Sequence, residues 1–282
     1  MKLAQKIAIN YYRAKLNIIA VISKRHAAKK ALELFSTPFR KAGKKLSPIF
    51  DRAEKLAFEI DGGKVIGYRW NVGGTKKILI VHGFESSAAN FGAYVNVLTR
   101  KGLNVLAFDA PAHGKSDGKR ITLPQYVQTL KEINKRYGPF DGYMAHSFGG
   151  LALSQFLEKI PTDTSTKIVF VAPATETTSA IDSFFMFLDL NHQIRNEFDQ
   201  LIFDITGIKP EYFSIRRAIK NIKADILWLH DEGDRTTPIE DVRKVMDDEN
   251  ANIRFVITQG LGHRKIYKDE QVMKQISDFL AS

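Results

Sequence analysis

From Leu56 to the end of the chain, short β-rich runs alternate with helix-like stretches, and no other feature narrows the fold as far. The strand runs are "LAFEI" (56–60), "KVIGYRW" (64–70), "KILIVH" (77–82), "NVLAFDA" (104–110), "GYMAH" (142–146), "KIVFVA" (167–172), "DILWLH" (225–230) and "IRFVIT" (253–258). The later runs are almost wholly apolar, as strands must be when helices cover both faces of their sheet. Helical stretches are predicted at about 90–101, 122–137, 148–159, 238–248 and 265–280. This order predicts an α/β fold on a mostly parallel, doubly wound sheet of about eight strands. "DGG" between the first two runs predicts a hairpin turn. One interval breaks the rhythm: residues 173–224 contain no convincing strand and are predicted to be a helical insertion between two sheet strands.

The N-terminal segment differs in composition. The chain carries 42 Lys/Arg against 31 Asp/Glu, a net charge of +11. Residues 1–50 hold 12 of the cations and one acid, Glu33, so the remaining 232 residues balance at 30 of each sign. Residues 2–34 contain no Pro or Gly and are predicted to be helical. Leu3, Ile7, Tyr11, Ala14, Ile18 and Ile22 share one face at three- and four-residue spacing. Lys2, Lys6, Arg13, Asn17 and Lys24 share another, with Lys15 as the exception. Such a helix suits docking on its own domain with a solvated cationic face. It also suits an anionic membrane surface or an acidic partner. No nucleic-acid-binding motif is present, so nucleic acid is not an expected partner. The stretch "STPFRKAGKKLSP" (36–48) is expected to link this helix to the rest. The expected organisation is therefore a basic helical extension and linker over 1–50 and an α/β domain over 51–282 that carries the insertion 173–224. The longest apolar run in the segment, "LNIIAVI", is too short to span a bilayer and is followed by "SKRH" rather than a small-residue cleavage site. The chain has no cysteine, which excludes disulfides, thiolate catalysis and thiolate metal sites. That composition fits a cytoplasmic protein, with peripheral membrane attachment as an extension of the same expectation.

In an open parallel sheet, chemistry gathers at the carboxyl ends of the strands. Three polar residues fall there in the order Ser, Asp, His: Ser147 after "GYMAH", Asp234 after "DILWLH" and His263 after "IRFVIT". The order and positions resemble the α/β-hydrolase superfamily over about residues 56–282, in its lysophospholipase or serine aminopeptidase-like branch. Around Ser147 the chain reads Ala145-His146-Ser147-Phe148-Gly149-Gly150, close to the G-x-S-x-G elbow, with Ala145 in place of the first Gly. The positions two before and two after the serine must be small because strand and helix backbones cross closely there.

What the resemblance implies is a serine hydrolase. Ser147 is the expected nucleophile, His263 the general base and Asp234 the acid that orients it. "VHGFE" (81–85) is similar to the segment after the third strand, so Phe84 and Phe148 are expected to offer backbone N–H groups to an oxyanion. His82 is expected to be structural, and Asp109, His113 and Ser116 in "DAPAHGKSDG" (109–118) to hold their loop. Asp231 is the competing acid, but Asp234 has the family's spacing to Pro238. The glycines of "GLGHRKI" (260–266) are expected to let the loop carrying His263 approach Ser147. No metal or organic cofactor is required. The insertion lies where the family carries a lid. Its Phe184, Phe185 and Phe187 are candidates for an apolar acyl pocket or, alternatively, for the lid's own core. The expected reaction is hydrolysis of a carboxylic ester, with a lipid-like substrate as the finer expectation. Cleavage of a thioester, amide or C–C bond, or a non-catalytic binding role, are the alternatives.

Overall fold

The computed structural model describes residues 3–39 and 46–282, with side chains from residue 7 onward. The middle of the expected linker lies outside the described residues. Eight strands form one sheet: β1 Glu54–Ile60, β2 Gly63–Trp70, β3 Lys77–Val81, β4 Asn104–Phe108, β5 Gly142–His146, β6 Lys167–Val171, β7 Asp225–Asp231 and β8 Ile253–Thr258. Their spatial order is β1-β2-β4-β3-β5-β6-β7-β8. β1 pairs antiparallel with β2, and β2 antiparallel with β4. Every later pairing is parallel. The hairpin turns on Asp61 and Gly62, at φ 49° and 73°. Two successive positive φ values match the right-handed twist of the strands they join. The central strands β4 and β5 are buried along their whole length, which explains their uninterrupted apolar runs.

Helices follow the strands on both faces: α3 Gly92–Arg100, α4 Leu123–Tyr137, α5 Phe148–Leu157, α9 Ile239–Met246, the single turn α10 Gly262–Lys265 and α11 Glu270–Ala281. Another short helix, α8 Ile215–Ala218, precedes β7. Local chemistry sets several of their starts. Thr122 caps α4 and exchanges side-chain and backbone hydrogen bonds with Gln125. Asp269 caps α11 by accepting from the Gln271 and Val272 amides. The sheet separates two apolar layers, one around Phe156, Phe170 and Trp228 and the other around Phe91, Tyr94 and Leu98.

The chain divides into two compact units, Pro38–Thr175 with Ser214–Ser282, and Met1–Thr37 with Glu176–Phe213. The first contains the sheet. The second is all helical: α1 Leu3–Ile22, α2 Lys24–Phe35, α6 Thr177–Leu188 and α7 His192–Thr206. The N-terminal helices and most of the insertion thus form one unit, although the 138 residues 38–175 separate them in the chain.

The single N-terminal helix expected from the sequence is two helices. Ser23 is extended (φ −154°, ψ 111°) and its hydroxyl accepts from the His26 amide, so it ends α1 and caps α2. The face of α1 that packs is also not the one the sequence spacing singled out. Leu16 and Ala20 are buried, with Ile9, Tyr12 and Ile19 against the same cluster, whereas Ile7, Tyr11, Ile18 and Ile22 are exposed. The helix is apolar on two faces, and only contact with α2 and the insertion decides between them. Small side chains on α2 (Ala27, Ala28 and Ala31) let it lie close against α7. Arg25 reaches Asp204 at 2.5 Å and Glu197 at 3.6 Å, and Arg13 donates to the Leu188 carbonyl at 3.1 Å.

Candidate active site

Ser147 sits at the turn between β5 and α5 with φ 55° and ψ −126°. That is a strained conformation for a residue with a Cβ, and a functional turn is where such strain persists. Its backbone is tied on both sides. Its N–H donates to the Val171 carbonyl at 3.2 Å, and its own carbonyl accepts from Gly150 and Ala174 at 2.9 and 3.0 Å. The small-residue requirement is literal at Gly149, where a Cβ would stand 2.4 Å from the His82 carbonyl oxygen. At Gly83 a Cβ would meet the Ser147 Cβ at 2.8 Å. Ala145 is fully buried in the apolar core, so the methyl that replaces the elbow's first glycine is accommodated.

The structure brings Ser147, His263 and Asp234 into one hydrogen-bonded chain. The Ser147 hydroxyl donates to His263 Nε2 at 3.0 Å, and His263 Nδ1–H donates to Asp234 Oδ2 at 2.7 Å. Asp234 is held in turn by the amides of Thr236 (2.8 Å) and Thr237 (3.1 Å) and by the Thr237 hydroxyl (2.8 Å). Burial pushes the Asp234 carboxyl up. The His263 hydrogen bond and charge, helped by those amides, outweigh burial and bring it down to about 2. The acid is therefore a carboxylate throughout the neutral range.

Asp231, the competing acid, does not reach His263. Its Oδ2 accepts from the Thr258 hydroxyl and the Leu261 amide, at 2.8 and 2.9 Å, and its Oδ1 from the Gly233 amide at 3.0 Å. It ties the end of β7 to the loop that precedes His263. That loop corrects one expectation. Gly260 and Gly262 have φ +79° and +58°, and a Cβ on either would meet nothing within 4 Å. The glycines supply left-handed backbone for the turn, and close approach is not their role.

The segment after β3 is anchored from below. His82 is buried, its Nδ1–H donates to the Gly83 carbonyl at 2.7 Å, and its Nε2 accepts from the Ala110 amide at 2.9 Å. Burial lowers its pKa to about 4, so the ring is neutral. His113 Nε2 accepts from the Glu85 amide at 3.0 Å, and Asp109 accepts from the Ala88 and Lys115 amides at 2.8 Å each. Phe84 and Phe148 pack edge to face with ring centres 6.0 Å apart. Phe148 is the first residue of α5, where helix geometry leaves backbone N–H groups without an intrahelical acceptor.

Phe184 and Phe185 pack with Phe198 inside the helical unit, and Phe184 also meets Phe35. Those contacts account for both rings as core. Phe187 is exposed. His146 is a residue the sequence reading missed. It is buried directly before the serine, and its Nε2–H donates to the backbone carbonyl of His263 at 3.0 Å. Its ring centre lies 4.8 Å from that of His263. Burial, with the nearby His263 charge, depresses its pKa to about 3, so it stays neutral. The available signal was a lone polar ring at the end of an otherwise apolar strand, next to the nucleophile position.

The sheet order, the strained serine turn and the Ser–His–Asp chain are those of the α/β-hydrolase fold, and the matches below point to its S33-like serine-hydrolase branch. The family model described as "Serine aminopeptidase, S33" matches residues 75–198. No curated protein matches the sequence. Among solved structures, an esterase of Pyrococcus furiosus is 21% identical with a TM-score of 0.63, covering 87% of this chain and 97% of its own. A monoacylglycerol lipase of Paleococcus ferrophilus is 23% identical with a TM-score of 0.58, covering 77% of this chain and 98% of its own. The mouse alpha/beta hydrolase domain-containing protein 10 is 16% identical with a TM-score of 0.59, covering 80% and 96%.

Proposed function

We propose that the protein hydrolyses a carboxylic ester through an acyl-enzyme on Ser147. The observation that carries this reading is the unbroken chain from the Ser147 hydroxyl through His263 to Asp234, at 3.0 and 2.7 Å. His263 Nε2 takes the hydroxyl proton as Ser147 Oγ attacks the carbonyl carbon. The resulting imidazolium is stabilised by the Asp234 carboxylate, which also fixes the tautomer that leaves Nε2 unprotonated before attack. The Phe84 and Phe148 amides receive the negative charge on the carbonyl oxygen, an electrostatic contribution of several kcal/mol in other hydrolases. The imidazolium then protonates the departing alcohol. Water, deprotonated by His263, attacks the acyl carbon and restores Ser147. The residues in these roles need no metal or organic cofactor.

The substrate class proposed is a lipid-like ester, supported by the likeness to a structure named as a monoacylglycerol lipase. The insertion leaves the sheet after β6 and returns before β7, the chain position of the superfamily's lid, and a lid role is part of the proposal. A cytoplasmic location is part of the proposal, and the cysteine-free composition fits it. The match to a serine aminopeptidase family model favours one second reading, cleavage of an amide by the same residues.

A fluorophosphonate probe should label the wild type and leave Ser147→Ala unlabelled; equal labelling of both would remove the nucleophile assignment. Turnover of matched ester, thioester and aminoacyl-anilide substrates separates the bond types, with the ester expected fastest. Rates should rise as the acyl chain lengthens beyond acetate, and a steady fall would remove the lipid-like substrate.

A further inference from the structure

Most of the large apolar side chains that remain exposed lie on the helical unit, and four of them form a line on α1. Ile7, Tyr11, Ile18 and Ile22 are 62%, 58%, 67% and 87% exposed. Their spacings of four, seven and four residues place them on a single stripe of an α-helix, opposite the side that packs on α2 and the insertion. Val21, also exposed, borders the stripe at its end. Arg25 holds Asp204, so the exposed Phe203 and Ile205 on either side of that aspartate lie at the same end of the unit as Val21 and Ile22. An apolar stripe of this kind is unfavourable in water unless something covers it.

Charge identifies what covers it. Helix α1 contains no acidic residue, and Lys15 lies beside the stripe with its Nζ 5.5 Å from the Tyr11 ring centre. Lys15, Lys24 and Lys29 are exposed and have no carboxylate partner among the described residues, whereas Arg13, Arg25 and Lys30 are engaged within the unit. A second copy of the chain placed on the stripe would bring these lysines against their equivalents and be repelled. A bilayer containing anionic lipids satisfies both features, since its acyl region takes the isoleucines and its headgroups take the lysines. No described helix is long and apolar enough to cross a membrane, so the contact is one in which α1 lies in the interface plane. We propose that the outward face of α1 is a docking surface for an anionic lipid bilayer. This stands apart from the hydrolase reading, because vesicle binding needs no turnover.

The test is co-sedimentation of the full chain with vesicles of phosphatidylcholine alone and of phosphatidylcholine mixed with phosphatidylglycerol, at low and high salt. Binding to the anionic vesicles is expected to exceed binding to the neutral ones by about tenfold or more and to fall as salt rises. Ile18→Ser with Ile22→Ser, and separately Lys15→Glu with Lys24→Glu and Lys29→Glu, should each weaken it by at least about tenfold. Both sets change only exposed side chains, so circular dichroism and hydrolysis of a short water-soluble ester should match the wild type. Ser147→Ala should bind vesicles as the wild type does, which keeps a failure of the hydrolase reading distinguishable from a failure of this one. Absence of binding, indifference to phosphatidylglycerol, or binding untouched by the isoleucine pair would each overturn the proposal. So would lipid-free self-association that the isoleucine pair abolishes, because the occupant would then be a second copy.

Discussion

The sheet unit and the helical unit treat polar and apolar groups in opposite ways. In the sheet unit, charged and polar side chains are carried inside and held: Asp109, Asp231, Asp234, His82 and His113 are buried and each makes at least two hydrogen bonds to named partners. In the helical unit, the core is a small cluster of alanine, leucine, isoleucine and phenylalanine side chains, and long apolar residues are left facing water. The difference teaches where precision is invested. A chain of hydrogen bonds through Ser147 requires fixed loops, so buried polar groups are spent on fixing them. The helical unit needs only enough packing to hold four helices together, which leaves apolar surface for something outside the molecule.

The comparison breaks first at Asp234. Asp234→Asn should lower kcat/KM for the best ester by roughly 10⁴-fold and lower the melting temperature at neutral pH, because the amide still accepts from Thr236 and Thr237 but carries no charge and cannot favour the productive His263 tautomer. Steady-state kinetics beside a melting curve checks it. A loss below tenfold would mean that the polar network is scaffolding and not catalytic. Phe198→Ala in the helical core should cost about 3 kcal/mol or more of stability in denaturant unfolding, since the ring is fully buried. Fluorophosphonate labelling of Ser147 at a temperature where the variant remains folded should be retained. If labelling is lost with the core intact elsewhere, the two units are not separable in function.

A smaller effect is expected at His146. His146→Phe removes the donor to the His263 carbonyl and should lower kcat by about tenfold, with KM nearly unchanged. His146→Gln, which keeps a donor, should recover part of the rate, a rescue that a merely structural role would not produce. The mildest test is pH. His82, His113 and His146 titrate near 4, 4 and 3 in the fold against an ordinary 6.5, with burial the leading cause. Below pH 6.5 the unfolded chain takes up protons that the fold refuses, so stability should fall as pH drops from 6.5 toward 4. Asp234 adds a later step: its stabilising ionisation is complete above 3.8 and is lost as pH falls toward 2. Melting temperatures across this range check the order. His82→Gln should flatten the first step and leave the second.

Much of the sheet unit is legible in the sequence because strands buried on both faces have almost no freedom of composition. The run "KIVFVA" can be little other than such a strand, and β6 is observed over Lys167–Val171. The helical unit was harder to read. The repeat Ile7, Tyr11, Ile18, Ile22 is a true amphipathic pattern, yet it faces outward, because Leu16 and Ala20 offer a second face that fits the helices beside it. Spacing reports that a stripe exists and is silent on what lies against it. The Ser23 break was missed because neither Pro nor Gly marks it; a serine hydroxyl accepting one amide is enough.

The order of strands along the chain and the three polar residues at strand ends are written in the residues themselves, since burial acts locally and leaves its pattern in neighbouring side chains; the turn at Ser147 is implied only through the resemblance of its flanking small residues. Only the packing of whole elements brings Asp234 within 2.7 Å of His263, carries His146 to the His263 carbonyl, and joins the N-terminal helices to the insertion. Those choices rest on distances of about 3 Å between groups separated by 29 to more than 100 residues. Contacts of that kind depend on how whole elements pack, which no local pattern of side chains records.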